Sequence, residues 1–257
     1  MDYMDKARLA EQAARASGAM LEHHGAFEVR RKAENDFVTE MDVKSEELIR
    51  DMLLTRCPED AFFGEEEGER SSHEAAGRWI VDPIDGTANF MRGQRLYTIS
   101  IAYEHAGELV AGCVYCPGTD ELFRAAKGAG ATCNGRPIRV STIDTLRDSL
   151  VHMGFGHRIP AILAETEPIL SPLLHTVSDL RRTGSAAYDM CCVAAGRAEA
   201  FIEQGLSLYD YAAGYVILTE AGGRLDAWRT GLDPIKTGSI LATNGRITAD
   251  LARLLNT

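Results

Sequence analysis

Trp79-Ile80-Val81-Asp82-Pro83-Ile84-Asp85-Gly86-Thr87-Ala88-Asn89-Phe90 decides how this chain is read. Trp79, Ile80 and Val81 form an apolar run that predicts a buried strand, and the run ends at a carboxylate. Pro83 fixes its own φ, removes an N–H and biases Asp82 towards an extended backbone. Asp82 and Asp85 are thereby held on a stiff turn at the mouth of a strand. Gly86 lets a backbone come close to a ligand. Thr87 adds a hydroxyl and an N–H, and a helix beginning there points its amides at an anion. Two fixed carboxylates beside such amides suggest hard cations holding a phosphate. An ordinary turn with a capping aspartate accounts for one carboxylate, but not for two followed at once by Gly-Thr.

The bulk properties agree. A chain of 257 residues is long enough for one large core or two smaller domains. With 45% hydrophobic and 25% charged residues it has the composition of a soluble globular enzyme. A formal net charge of −11 argues against non-specific binding to nucleic acid or anionic lipid. It also makes a phosphorylated substrate unfavourable unless cations intervene. No apolar run of about 18 residues is present, so no membrane span is expected. The acidic, then amphipathic, N-terminus does not look like a signal peptide, and the cytoplasm is the expected compartment. Cys113 and Cys116 have zinc-knuckle spacing but lack a second matching pair, Cys191 and Cys192 being adjacent. Reduced, mostly buried thiols are the expectation for all six cysteines.

Upstream of the decisive stretch, Tyr3 to His23 reads as an amphipathic helix ending near Gly25. His23-His24 fits a helix C-terminus better than a metal pair, because adjacent helical residues face different ways. From Lys32 to Asp42 come a turn, a short extended piece and a helix entry. Thr39 and Asp42 have capping spacing, and a helix is expected to about Thr55, stopped by Cys57-Pro58. Ala61–Phe63 is a short strand leading into Gly64-Glu65-Glu66-Glu67-Gly68. Such a charge run is usually a solvated loop. If this strand neighbours the Trp79 strand, however, Glu65 arrives beside Asp82 as a third carboxylate. Ser71–Gly77 reads as an exposed loop or a single helical turn.

Downstream, Tyr97–Tyr103, Leu109–Tyr115, Glu121–Ala126 and Ala131–Cys133 read as an antiparallel meander, separated by Gly- and Pro-rich turns. Composition shifts near Ser141, dividing the chain into an α+β part, 1–140, and an α/β part, 141–257. In the second part, strands at Ser149–Met153, Asp179–Arg182, Ala198–Ile202, Arg224–Asp226 and Ser239–Ala242 alternate with helices. Pro168 and Pro172 mark a break or restart in the helix from Pro160 to His175. Gly184-Ser185 follows a strand and opens a helix. Asp210 opens the helix that runs to Ala221, where the ordinary role of an acid is to cap it.

Taken together, Asp82-Pro-Ile-Asp85-Gly-Thr87 with Asn89-Phe90, Gly64-Glu65-Glu66 upstream and Asp210-Tyr-Ala-Ala-Gly with Glu220-Ala-Gly-Gly223 downstream resemble the inositol monophosphatase family of lithium-sensitive, magnesium-dependent phosphatases. The resemblance covers nearly the whole chain in the right order. It implies an α/β, layered α-β-α-β-α sandwich of the inositol monophosphatase/fructose-1,6-bisphosphatase type, usually a homodimer. It implies hydrolysis of inositol 1-phosphate with two or three Mg²⁺ ions.

The resemblance also implies roles. Glu65, Asp82 and the Ile84 carbonyl would hold one ion. Asp82, Asp85 and Asp210 would hold a second, and a third would sit near Glu65 through waters. Thr87 with Asp42 would orient the attacking water, supported by Glu66, with Lys32 close by. Gly86 and Thr87 would receive phosphate oxygens. Gly184, Ser185, Ala186, Glu203 and Asp210 would face the rest of the substrate. Where the family often has Trp-Asp, this chain has Tyr209-Asp210, which keeps an aromatic support but alters the pocket wall. The implied partner is a small phosphorylated polyol, with neither nucleic acid nor membrane. The same scaffold also serves fructose 1,6-bisphosphate, histidinol phosphate, NADP and adenosine 3′,5′-bisphosphate, and fold alone does not choose among them.

Overall fold

The structure is a computed structural model, described for residues 1–257 except 34–35, 71–74, 76, 157–158, 230 and 257, and except the side chains of 31–33, 36–37 and 70. The first half runs α1 (Tyr3–Glu22), β1 (Val29–Ala33), β2 (Asp36–Thr39), α2 (Glu40–Arg56), β3 (Ala61–Gly64), β4 (Gly68–Arg70), β5 (Gly77–Asp85), α3 (Thr87–Met91), β6 (Thr98–His105), β7 (Glu108–Cys116), β8 (Glu121–Ala126), β9 (Ala131–Cys133) and β10 (Arg136–Pro137). The second runs β11 (Leu150–Met153), α4 (Pro160–Thr176), β12 (Asp179–Arg181), α5 (Ala186–Ala194), β13 (Ala200–Glu203), α6 (Leu208–Glu220), β14 (Arg224–Ala227), α7 (Pro234–Thr237), β15 (Ile240–Thr243) and α8 (Thr248–Leu255).

Among the described residues β1 and β2 form a hairpin, and the other strands form two sheets. One sheet has the order β10-β9-β8-β7-β6-β5-β3-β4, the other β12-β11-β13-β15-β14. Side chains alternate across each strand, so each sheet has two faces to bury. Trp79 and Val81 of β5, with Ile99, Ile101 and Tyr103 of β6, pack on one face against α1 and α2. Ile80 and Ala102, on the opposite face, pack against α5 and α6. The other side of α5 and α6 meets Phe201, Ile240 and Ala242 of the second sheet. That sheet buries Val151, Ile202 and Leu241 under α4 and α8. The result is an α-β-α-β-α sandwich. Small residues of its middle layer, Ala212, Ala213 and Gly214, let β7 come so close to α6 that a Cβ on Gly112 would lie 2.6 Å from the Ala213 carbonyl.

Some local expectations change. The Trp79 strand does not stop at Asp82. It continues to Asp85 through a bulge, in which Asp82 pairs with Ser100 and Asp85 with Thr98. Three steps on β5 thus face two on β6, and Pro83, which has no N–H to give to the ladder, sits inside the irregularity. The helix after Pro160 does not break either: α4 is continuous through Pro168 and Pro172. Pro168 is exposed and the two prolines are one turn apart, so the missing hydrogen bonds fall along the solvent side where water can replace them. Helix α6 starts at Leu208, earlier than Tyr211, because Ser207 and Asp210 form a capping box. The one-turn helix α7 was not expected; Asp233 caps it ahead of Pro234. Most of Ser71–Gly77 lies outside the described residues. Cys113 and Cys116 point into different cores, so their thiols do not converge on an ion, and all six cysteines are free. No helix among the described residues is long and apolar enough to cross a membrane.

Candidate active site

The bulge in β5 makes the site. In a regular strand, residues three apart point to opposite faces. The extra residue at Pro83-Ile84 reverses that parity, and Asp82 and Asp85 turn to the same side. The N-terminus of α6 brings Asp210 to them from the middle layer. One oxygen of each aspartate lies within 4.8 Å of one oxygen of the others. Asp82 and Asp85 are buried and Asp210 is half-buried.

Like charges this close, away from water, resist ionisation. Burial pushes Asp82 well above the usual carboxylate range, and the charges of Glu65, Asp85 and Asp210 push the same way. Asp210 is raised well above that range by burial and then by Asp85. Asp85 is pushed up to about 6 by burial, although three donors oppose the shift. Ser185 Oγ donates to it at 2.6 Å, the Ala187 amide at 2.8 Å and the Ala186 amide at 3.3 Å. Hard carboxylate oxygens with a surplus of negative charge suit a hard cation that takes oxygen ligands.

Around this cluster the expected residues fall into place unevenly. Strand β3 runs parallel to β5, and the Glu65 amide donates to the Val81 carbonyl at 3.2 Å. Glu65 therefore lies near Asp82, and both line one cavity of about 650 Å³, but Glu65 is not one of the three carboxylates that converge. Thr87, at the start of α3, lies on the same wall, following Gly86 in the left-handed region at φ 98°. Asp42 sits behind Thr87 and is buried. It belongs to the capping box of α2, accepting from the Thr39 amide at 2.7 Å and the Thr39 hydroxyl at 2.6 Å. Capping and site geometry thus share one side chain. Burial raises the Asp42 carboxyl above its ordinary value, with the charge of Glu66 adding to the shift. Glu66 stands near Asp42, while its amide is held by Glu46. The side chain of Lys32 lies outside the described residues.

The far end of the cavity is built from the second half. Ser185 caps α5, accepting from the Tyr188 amide at 3.3 Å, and Gly184 precedes it at φ 92°. Asn89 of α3 donates to the Thr183 carbonyl at 2.8 Å, stitching the two turns together. Glu203 ends β13, and its carboxyl is pushed up to about 7 by burial, with the Arg182 charge opposing the shift. The glycine at 154 makes room for it: a Cβ there would lie 1.9 Å from the carboxylate. Tyr209 lines this wall, its ring centroid 6.0 Å from that of Phe63.

Sequence reading missed three groups. Arg182 lines the cavity over the Phe155 ring. Asp189 lines it too, held by His152 Nδ1 and by the Thr183 hydroxyl at 2.8 Å. Glu46 is buried beneath the Glu65–Glu67 turn. A usable signal existed for two of them. Asp189 is four residues after Ser185 and Glu46 four after Asp42, hence on the same helix faces as residues already singled out.

The chain resembles known proteins over nearly all of its length. The model of the inositol monophosphatase family matches residues 2–257. An inositol-1-monophosphatase of Synechocystis sp. is 40% identical over 220 residues, 86% of this chain and 77% of that protein. A protein of Escherichia coli named Nus factor SuhB is 36% identical over 243 residues, 93% of this chain and 91% of that protein. The crystal structure of the extragenic suppressor protein suhB from Bartonella henselae superposes with a TM-score of 0.93 at 36% identity, covering 97% of this chain and 98% of that one. A five-layer sandwich with buried aspartates at a bulged strand end is the frame of a metal-dependent phosphoric monoester hydrolase. The chain belongs to the inositol monophosphatase family.

Proposed function

We propose that this protein hydrolyses inositol 1-phosphate to inositol and phosphate with Mg²⁺ as cofactor, two or three ions per site. The observation that carries the reading is the convergence of Asp82, Asp85 and Asp210, oxygen atoms within 4.8 Å, beside Gly86-Thr87. Support comes from the 40% identity to an inositol-1-monophosphatase. Bound Mg²⁺ supplies charge neutralisation on the phosphate and a more acidic water. Glu65, Asp82 and the Ile84 carbonyl would hold one ion, and Asp82, Asp85 and Asp210 another, with any third near Glu65. Gly86 and Thr87 receive phosphate oxygens.

Thr87 orients the attacking water. Its hydroxyl proton is shared between Asp42 and the Ile84 carbonyl, leaving the oxygen free to accept from that water. The raised affinity of buried Asp42 for a proton suits it to receive one. Glu66 supports this pair, with Lys32 assigned beside it by the family resemblance alone. Gly184, Ser185, Ala186 and Glu203 face the alcohol, where a carboxylate accepts hydroxyl protons. In our reading the enzyme is a lithium-sensitive cytoplasmic homodimer that acts on a small phosphorylated polyol and binds neither nucleic acid nor membrane.

The test is a kcat/KM panel of inositol 1-phosphate, fructose 1,6-bisphosphate, adenosine 3′,5′-bisphosphate, NADP and histidinol phosphate. Inositol 1-phosphate should lead. A flat profile, or a better substrate among the others, removes the substrate assignment. Full activity in Asp85→Asn removes the metal assignment as well. Likeness to a protein named Nus factor SuhB favours a second reading, a regulatory role that needs no catalysis. In that case Asp85→Asn abolishes phosphate release yet complements a deletion strain.

A further inference from the structure

Helix α2 meets the site with three side chains of one face, Asp42, Ser45 and Glu46. Asp42 accepts from Thr87 at 3.1 Å, and Ser45 donates to the Pro83 carbonyl at 3.2 Å. Glu46 is fully buried. Its two oxygens take two successive amides, Glu66 N at 2.9 Å and Glu67 N at 2.8 Å. A buried carboxylate is costly unless its oxygens are satisfied, and here both satisfying donors are backbone groups of the turn that carries Glu65. The turn is matched to this clamp. A Cβ on Gly64 would lie 2.3 Å from Glu46 Oε2 and 2.6 Å from Oε1, so the glycine leaves the space that the carboxylate fills. One helix face therefore grips both the Glu65–Glu67 turn and the Pro83–Thr87 turn, whose carboxylates must meet.

We propose that Glu46 is a positioning residue for metal capture: its carboxylate fixes the Glu65–Glu67 turn so that Glu65 stands opposite Asp82. The proposal rests on the metal-dependent reading of the site. Glu46 touches neither substrate nor ion. It acts as the outer partners of metal ligands do, by holding a ligand's backbone where the ion needs it.

Two variants separate position from charge. Glu46→Gln keeps the volume but turns an NH₂ towards one of two N–H donors. Glu46→Asp keeps the charge but withdraws the carboxylate by one methylene. Both should bind Mn²⁺ about 10–100-fold more weakly than wild type, as followed by electron paramagnetic resonance on metal-free protein. Both should recover kcat at saturating Mg²⁺ with KM for inositol 1-phosphate unchanged; each leaves a buried polar group unpaired and lowers the metal-free Tm, so binding is compared at a temperature where every protein is fully folded. Wild-type Mn²⁺ affinity in either variant overturns the proposal, since for Asp it would show that charge and not position matters. A binding loss that vanishes when each variant is measured fully folded also overturns it, because the clamp would then serve only the fold. Wild-type protein that binds no Mn²⁺ refutes the metal reading itself, a result distinct from either variant's.

Discussion

The Thr87 hydroxyl lies 3.1 Å from Asp42 Oδ1 and 3.1 Å from the Ile84 carbonyl, so a single proton serves two acceptors at the junction of α2, α3 and the bulged strand. A hydroxyl with its proton committed on one side is a fixed acceptor on the other. Thr87→Val keeps the shape and removes that acceptor. We expect kcat to fall by about 10²–10⁴ with KM and Mn²⁺ binding little changed. Steady-state kinetics with a parallel Mn²⁺ titration checks this. A loss confined to KM would place Thr87 in substrate binding alone.

Acidity is the second handle. Burial holds Asp85 at about 6 and Glu203 at about 7, above their ordinary values of 3.8 and 4.5. The folded, metal-free state therefore binds protons more tightly than the unfolded chain. Stability from these groups is fully present below their unfolded values and is lost as pH rises through 6 and 7. Metal-free protein should show a Tm penalty on going from pH 5 to pH 8 that shrinks in Glu203→Gln. Ions need the ionised carboxylates, so with metal the sign reverses. Apparent Mg²⁺ affinity should fall at least about tenfold per unit below about pH 6, because a proton on Asp85, and any held by Asp82 or Asp210, must leave when the ion binds. Calorimetric melting and metal titrations at stepped pH read both effects. An affinity flat between pH 5 and 7 contradicts a protonated Asp85.

Glu203 has its place only because residue 154 lacks a Cβ, which would lie 1.9 Å from the carboxylate. Gly154→Ala should displace Glu203 from the alcohol side and leave the aspartates alone. KM for inositol 1-phosphate should rise while turnover of p-nitrophenyl phosphate, which has no polyol hydroxyls, stays near wild type. Equal losses on both substrates would show that the damage spreads to the metal cluster.

The middle layer predicts a stability effect without a catalytic one. Gly112→Ala would force a methyl to 2.6 Å from the Ala213 carbonyl, between β7 and α6. The overpacking should cost about 1–3 kcal/mol, measured by urea unfolding. Specific activity of the folded fraction should be retained, because Ala213 is a turn away from Asp210. An unchanged urea midpoint would mean that α6 shifts freely against the sheet.

Periodicity and turn chemistry are local, and they made Tyr3–Glu22, the meander and the strand-helix alternation readable. Motif spacing likewise singles out Asp82 and Asp85, makes Glu65 conditional on the pairing of two strands, and leaves Asp210 a helix cap until the family resemblance assigns it to the site. The bulge was not readable, because a strand that continues through a proline looks the same in sequence as one that stops before it. Its consequence, two aspartates of odd spacing on one face, depends on pairing with Ser100 and Thr98, residues far along the chain. Arg182 escaped for the same reason, its partner Phe155 being brought close only by packing, whereas Asp189 and Glu46 carried a helical spacing to Ser185 and Asp42 that went unused. For those two the ordinary reading competes, because a lone charged residue on a helix usually faces solvent.

Asp210 rides on a helix clasped between two sheets, and Asp85 takes its hydrogen bonds from α5 in the same layer. During synthesis, therefore, the decisive aspartates leave the ribosome long before the cluster can close. A nascent chain that has released Asp82 and Asp85 still lacks the third carboxylate and the amides that steady the second. The cluster of three carboxylates therefore closes only once α5 and α6 have docked between the sheets.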